Sequence, residues 1–376
     1  MFHVNLAVAC LYLLFRFVFP LPLPAAWRAC IGALLIGVSQ YHLIQIGVFG
    51  TMFSPEMPRW AVVVAGWAFC SFVLLFIFML LLDVARCVLA LLRLPPAKRL
   101  GADNVRLSVA AFAALLGGAG VHQAVQVPGV RQVDVTIAGL SPALDGLRVV
   151  QLSDLHVSRL FQAPWVEEVV ARTNELQPDL VLISGDLIDG TLQARREDVA
   201  PFAKLRAAHG VIAIPGNHEY YFNEAQWNAA FQQLGVSMLV NQHVVLGSGE
   251  QTLVIAGVAD EAAVRFGRSG PDLQAALKDA PAQAPILLLK HRPVGAEHAA
   301  AAGVDLQLSG HTHGGMIRGF DQVVRNANAG FVSGAYRIGQ MTLYVSNGTG
   351  LWGGFPIRLG VPSEITEITL RAQPSP

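Results

Sequence analysis

Residues 308–316 read LSGHTHGGM. His311 and His313 are two positions apart, so on extended backbone their imidazoles point the same way and can reach one centre. Gly310, Gly314 and Gly315 leave room for backbone and rings to crowd it. Other groups with metal-ligand chemistry precede them: Asp154-Leu155-His156, Gly185-Asp186 followed by Asp189, Gly216-Asn217-His218-Glu219, and His291 ahead of Arg292-Pro293. Each has an ordinary use by itself. Asp154 and Asp186 suit caps or turns, Asn217 an Asx-turn, and His291 a loop. As a set they supply two carboxylates (Asp154, Asp186), one amide oxygen (Asn217) and four imidazoles (His156, His291, His311, His313). That exceeds what one tetrahedral ion needs and suits two divalent ions sharing one carboxylate. Asp186 is the expected bridge, because it lies on the central strand of the series. Two such ions, two carboxylates and a bridging hydroxide leave a charge of about +1, which a phosphodiester anion neutralises; ions roughly 3.5–4 Å apart are the geometry of in-line displacement at phosphorus. Mixed nitrogen and oxygen ligation favours Mn, Fe or Zn over Ca.

The elements that must position these groups are short apolar runs ending in polar loops. LRVVQLSDLH (147–156), DLVLISGDLID (179–189), VIAIPGNHEYY (211–221), PILLLKHRP (285–293) and DLQLSGHTHGG (305–315) each read as a buried strand running into a loop. QVDVTIAG (132–139) alternates like a strand, and MTLYVSNG and SEITEITL make the C-terminal third strand-rich. Helical spacing occurs at 165–176, 191–207, 224–235 and 295–302. Strands alternating with helices imply a layered α/β domain, whose ligands gather beyond the carboxyl ends of the strands. Five such ends carrying N and O ligands predict one shared site.

The motifs D-x-H at 154–156, G-D-x-x-D at 185–189, G-N-H-E at 216–219, the lone His291 and G-H-T-H-G-G at 310–315, in this order, resemble those of calcineurin-like metallophosphoesterases. The likeness covers residues ~130–370 and is nearest the bacterial membrane-anchored or exported branch. It implies a four-layer α/β/β/α sandwich. It also implies a first metal on Asp154, His156, Asp186 and His313, and a second on Asp186, Asn217, His291 and His311. His218 would contact the phosphoryl group and aid the leaving group as electrostatic donor or general acid. Asp189 and Glu219 would orient ligand histidines. Met316 departs from the branch, where many relatives carry a polar residue.

The rest of the chain differs in kind. Only 14% of the 376 residues are charged and 53% are hydrophobic, with a mean hydropathy of +0.48. That is too apolar for a soluble enzyme of this size. Lys+Arg and Asp+Glu are equal at 26 each, so no basic excess points to nucleic acid. Cys10, Cys30, Cys70 and Cys87 all precede the α/β region, which excludes a thiolate site there. Four apolar stretches read as membrane spans: Val4–Phe19, Trp27–Gly50, Trp60–Leu82 and Val105–Val121. The expected division is a membrane region at 1–125 and a phosphoesterase domain at 126–376. Arg86, Arg93, Lys98, Arg99 and Arg106 crowd the connection before the fourth span, which places that connection in the cytosol and residues beyond ~125 outside it. The expected location is a bacterial inner membrane, multi-pass, with the catalytic domain periplasmic. Residues 98–124 also have the pattern of an internal export signal, read here as an uncleaved anchor. Tethering at the bilayer favours an envelope lipid or wall-related substrate with a phosphodiester or pyrophosphate bond. The alternatives are the same chemistry on a cytosolic nucleotide-linked lipid precursor, and a non-catalytic metal-binding membrane scaffold.

Overall fold

The computed structural model describes residues 2–94 and 100–373. Lys98 and Arg99, which entered the topology expectation, lie outside the described residues. The chain forms two compact units. One comprises Met1–Ala124 with Gly353–Ile357, and the other Val125–Trp352 with Arg358–Pro376. The short segment at 353–357 is one that the sequence assigned to the second domain.

The first unit is helical. Arg59–Leu91 and Asp103–Ala124 are each long and apolar enough to cross a membrane. Ala25–Ser39 and Tyr41–Phe49 are bent by 62° at Gln40 and count as one further span if taken together. The first expected span is a shorter helix, Phe2–Leu13, running on in π geometry to Val18. Arg16, the charge within it, is paired: Asp83 accepts from its Nε at 2.8 Å and from the Tyr12 hydroxyl at 2.7 Å. Pairing of this kind is what an ionisable group in an apolar stretch requires.

The second unit holds two six-stranded sheets. The first runs β1-β12-β2-β3-β4-β5, from β1 (Gly129–Ile137), β2 (Arg148–Leu152), β3 (Leu180–Ile183), β4 (Val211–Ala213), β5 (Val236–Met238) and β12 (Glu364–Ala372). The second runs β10-β11-β9-β8-β7-β6, from β6 (Gln242–Leu246), β7 (Leu253–Gly257), β8 (Ile286–Leu289), β9 (Leu306–Ser309), β10 (Gly334–Ile338) and β11 (Met341–Val345). Their central strands, β2 to β5 and β7-β8-β9-β11, pair in parallel.

Strand alternation explains the layering. Successive residues face opposite sides of a sheet. Leu180 and Leu182 of β3 share one core with Leu287 and Leu289 of β8 and Leu306 and Leu308 of β9, so the two sheets pack face to face. The intervening Leu288 and Leu343 pack instead with Ala296 and Ala299 of the helix Ala296–Ala301 on the outside of the second sheet. Outside the first sheet, Val166, Val169 and Val170 form the buried stripe of the helix Ala163–Glu175. The result is the α/β/β/α sandwich. Strands buried on both faces must be apolar throughout, which is why the sequence shows short runs such as LVLI and ILLL rather than alternation.

Candidate metal centre

The ligand-type residues come from both sheets. Asp154, Asp186 and Asn217 follow β2, β3 and β4 of the first sheet, and His291, His311 and His313 follow β8 and β9 of the second. Ligand atoms within 4.8 Å of one another form three groups: Asp154, His156 and His313; Asp186, His291 and His311; and His156 again with Asp189 and His218. Asp186 joins them. Its Oδ2 lies 3.2 Å from His291 Nε2, 3.7 Å from His156 Nε2 and 3.9 Å from His218 Nε2. Its Oδ1 faces away and accepts the His218 backbone N–H at 2.9 Å. His313 Nε2 is 3.7 Å from Asp154 Oδ1.

The centre is buried, yet several of its lone pairs are unspent. His156 Nε2 and Asn217 Oδ1 have no hydrogen-bond partner among the described residues, and His291 Nε2 faces Asp186 Oδ2. Such orphaned atoms are costly unless something else satisfies them. The opposite ring nitrogen of His291 meets the Ser184 carbonyl at 2.8 Å, so once a cation displaces the proton that Asp186 favours on the ring, the Nε2 lone pair is the one that faces inward. Burial, helped by the charges of His291 and Arg292, pushes His311 down to about 3, so it is neutral and able to ligate at neutral pH. The donors therefore fit a pair of divalent cations.

Local backbone carries the same message. Asp154, His156, Asp186, His311 and His313 all have φ between 46° and 69°. The left-handed region disfavours residues with a Cβ, and holding it costs of order 1–3 kcal/mol apiece. Five of the seven expected ligands accept this strain, which turns their side chains back toward a common point. Glycine makes that closeness feasible: a Cβ at Gly310 would sit 2.2 Å from Asp154 Oδ2 and 1.9 Å from Ser153 Oγ.

Around this shell, Asp189 holds two rings. It meets His218 Nδ1 in a short contact and lies 3.2 Å from His156 Nδ1. Burial alone would lower His218, but the carboxylates of Asp189 and Asp186 outweigh it and hold the imidazolium up at about 9. Glu219 does not orient a ligand histidine, contrary to expectation. It accepts the backbone N–H groups of Asp186 (3.1 Å), Leu187 (2.8 Å), Ile188 (3.1 Å) and Gly216 (2.7 Å). A single carboxylate thus ties the β3 loop to the β4 loop, clamping the main chain that carries Asp186.

Two residues escaped the sequence reading. Tyr221 closes the helical turn Asn217–Tyr221. Its hydroxyl accepts from Asn217 Nδ2 at 3.4 Å, which leaves Asn217 Oδ1 pointed inward. The i, i+4 spacing of Asn217 and Tyr221 was a signal only if the segment was known to be helical. Arg358 is fully buried and donates to the carbonyls of His313 (3.0 Å), Gly350 (3.0 Å) and Asn347 (2.6 Å). It fixes the backbone of one candidate ligand from 45 residues away, and no local pattern announces it.

The profile of a known family, described as Calcineurin-like phosphoesterase, matches residues 147–315. A bovine protein described as "Transmembrane protein with metallophosphoesterase domain" is 31% identical over 372 residues, 93% of this chain and 83% of that one. A Helicobacter pylori (strain J99) protein described as "Uncharacterized metallophosphoesterase" is 33% identical over 279 residues, 73% of each chain. Among solved structures, calcineurin-like phosphoesterase YfkN from Bacillus subtilis aligns at 15% identity and a TM-score of 0.36, covering 55% of this chain and 82% of that one.

Proposed function

Because this chain belongs to the calcineurin-like phosphoesterase family, and so is a metal-dependent phosphoester hydrolase, and because its long apolar helices associate it with a membrane, we propose that it cleaves phosphodiester or pyrophosphate bonds in an envelope lipid or wall-related substrate. The observation that carries the reading is the convergence of two ligand groups on Asp186, with buried lone pairs left over. Asp154, His156, Asp186 and His313 would hold one cation, and Asp186, Asn217, His291 and His311 the other. Mn, Fe and Zn match this donor set. When bound, the cations supply Lewis acidity at the phosphoryl oxygens and lower the pKa of a water toward about 7.

The chain's own residues do the rest. Asp186, reached from both ligand groups, would be shared by the two cations. The six other ligands are neutral or singly charged, so the cations keep their pull on the substrate. His218, whose imidazolium the carboxylates of Asp189 and Asp186 favour in the metal-free chain, is steadied by Asp189 and donates toward the departing oxygen. Glu219 and the left-handed turns hold this geometry before substrate arrives, so little reorganisation is needed during reaction.

On this reading residues 1–125 are the membrane region and 126–376 the catalytic domain, apart from 353–357, which cluster with the first unit. The basic residues between the last two spans support a multi-pass inner-membrane protein with its catalytic domain on the periplasmic face. That placement is the reason to favour envelope lipids and wall polymers over a cytosolic nucleotide-linked precursor.

The test uses the full chain in detergent, loaded with Mn, Fe or Zn, on bis(p-nitrophenyl) phosphate and on lipid-linked pyrophosphates. Wild type turns over and Asp186→Asn loses both metal and activity while remaining folded. A metal-loaded wild type inert on every phosphoester would instead favour a membrane scaffold. Paired C-terminal reporter fusions, one active only outside the cytosol and one only inside, report the side: an inside signal moves the substrate to cytosolic precursors.

A further inference from the structure

A cavity of about 640 Å³ lies against the back of the metal loop. Gly314, the residue after His313, forms part of its wall, as does Asn347. The next residue, Gly348, is packed so closely that a Cβ there would lie 3.1 Å from His313 Nδ1 and 3.1 Å from Asp154 Cβ. The cavity therefore shares a wall with the candidate ligands. Its size falls within the range of pockets that hold small molecules.

Its polar lining contains two arginines and two carboxylates: Arg131, Arg318, Asp321 and Glu364. Formal charge balances, but hydrogen-bonding capacity does not. Glu364 is spent on protein donors: Oε2 takes Arg131 Nη1 at 3.1 Å, and Oε1 takes the Tyr344 hydroxyl at 2.8 Å, Thr366 Oγ1 at 3.2 Å and the Asn347 N–H at 3.3 Å. Asp321 accepts from the Gly319 N–H and from Gln322 Nε2. The arginines have the opposite balance. Arg131 donates only to Glu364, and Arg318 only to the Gly360 carbonyl at 3.3 Å, among the described residues. A guanidinium has five N–H donors, so most of each fork is unspent. Ser363 Oγ, buried at the wall, has no partner among the described residues. With Glu364 spent, Asp321 partly engaged and both guanidiniums keeping most of their donors, the balance of the lining favours an oxyanion.

We propose that this cavity is a subsite for a second oxyanion, a phosphate or carboxylate, carried by the same substrate whose phosphoester bond is cleaved at the metal centre. The preferred substrate then has two anionic groups: one at the metals, one held by Arg131 and Arg318. This rests on the hydrolase reading above. Glu364 has a positioning role in the subsite, since it fixes Arg131 from the wall.

Binding to the metal-loaded full chain is measured by calorimetry, using alkane-α,ω-bisphosphates of graded length, ω-carboxyalkyl phosphates and the matching alkyl monophosphates. One length of bisphosphate or carboxylate binds wild type about 10-fold tighter than its monophosphate, as one charge-assisted contact provides. The gain disappears in Arg131→Gln/Arg318→Gln, while monophosphate binding stays as it was. The Arg131→Gln change keeps an N–H donor facing Glu364, and Arg318→Gln alone, at an exposed position, gives part of the loss without risk to folding. The proposal is overturned if no length outbinds its monophosphate, or if the gain survives both substitutions. Turnover of bis(p-nitrophenyl) phosphate, followed in parallel, reports separately on the hydrolase reading. A protein that binds bisphosphates preferentially but never hydrolyses keeps the subsite and loses the reaction.

Discussion

Gly216→Ala isolates the geometric precision of the centre from its chemistry, because it adds one methyl group and removes no ligand. Gly216 has φ −92° and ψ −165°, a conformation alanine adopts freely, so backbone strain contributes nothing. Space is the problem. A Cβ there would lie 2.2 Å from Asp186 Oδ1 and 2.5 Å from the Asp186 backbone nitrogen. Contact distances demand that these atoms separate by about 1 Å. The side chain cannot swing aside, since Oδ1 is tied to the His218 N–H and the backbone nitrogen to Glu219. The main-chain loops must part instead, carrying Asp186 Oδ2 away from His156 and His291. Overpacking of this kind costs about 1–3 kcal/mol of stability, and a displacement of about 1 Å at a reacting centre can cost roughly 100-fold in rate. The expected outcome is a folded protein with reduced metal content and kcat/KM lowered about 100-fold on bis(p-nitrophenyl) phosphate. Gly210→Ala is the control: its φ is +88° and its Cβ would meet nothing. It costs about 1–2 kcal/mol of stability and leaves metal content unchanged. Full metal occupancy with near wild-type kcat/KM in Gly216→Ala would refute the claim that Asp186 is held to sub-ångström tolerance.

Tyr221→Phe removes the acceptor that orients the Asn217 amide, so affinity for the second cation falls about 10-fold; in an Asn217→Asp background, where either oxygen ligates, the same change has no effect, and Mn²⁺ titration distinguishes the two. In metal-free protein, His218 and His291, held up at about 9 and about 10 against burial by Asp186 and neighbouring carboxylates, contribute stability present in full below the unfolded value near 6.5 and lost as pH rises through those values. His311, pushed down by burial to about 3, has the opposite sign: its contribution is present above 6.5 and fades as pH falls toward 3. Melting of the chelator-treated chain should therefore weaken from pH 6.5 to 9, and Asp189→Asn should flatten the His218 part of that slope; an unchanged slope would mean Asp189 does not hold the imidazolium.

Local sequence dictates which groups are on offer and in what kind of scaffold. Asp154, Asp186 and the paired His311 and His313 sit at the ends of doubly buried strands, and strand, turn and ligand type are local properties written within a dozen residues. The long apolar helices are local in the same sense, since length and composition suffice to mark Arg59–Leu91 and Asp103–Ala124. The helical turn at Asn217–Tyr221 was not legible, because five polar and aromatic residues carry no periodicity. Nor was the continuity of the membrane helices, where Ser39 and Tyr41 flank a 62° bend inside one apolar run. That Asp186 Oδ2 is the meeting point follows from packing alone, because its imidazole neighbours come from two different sheets. Packing also makes Glu219 a clamp on main chain rather than on a histidine, sets Arg358 against His313, and opens Arg131 and Arg318 onto one cavity. These partners are separated by tens to hundreds of residues, and nothing in the chain's local chemistry records which distant backbone groups the stacking of two sheets will bring within hydrogen-bonding reach.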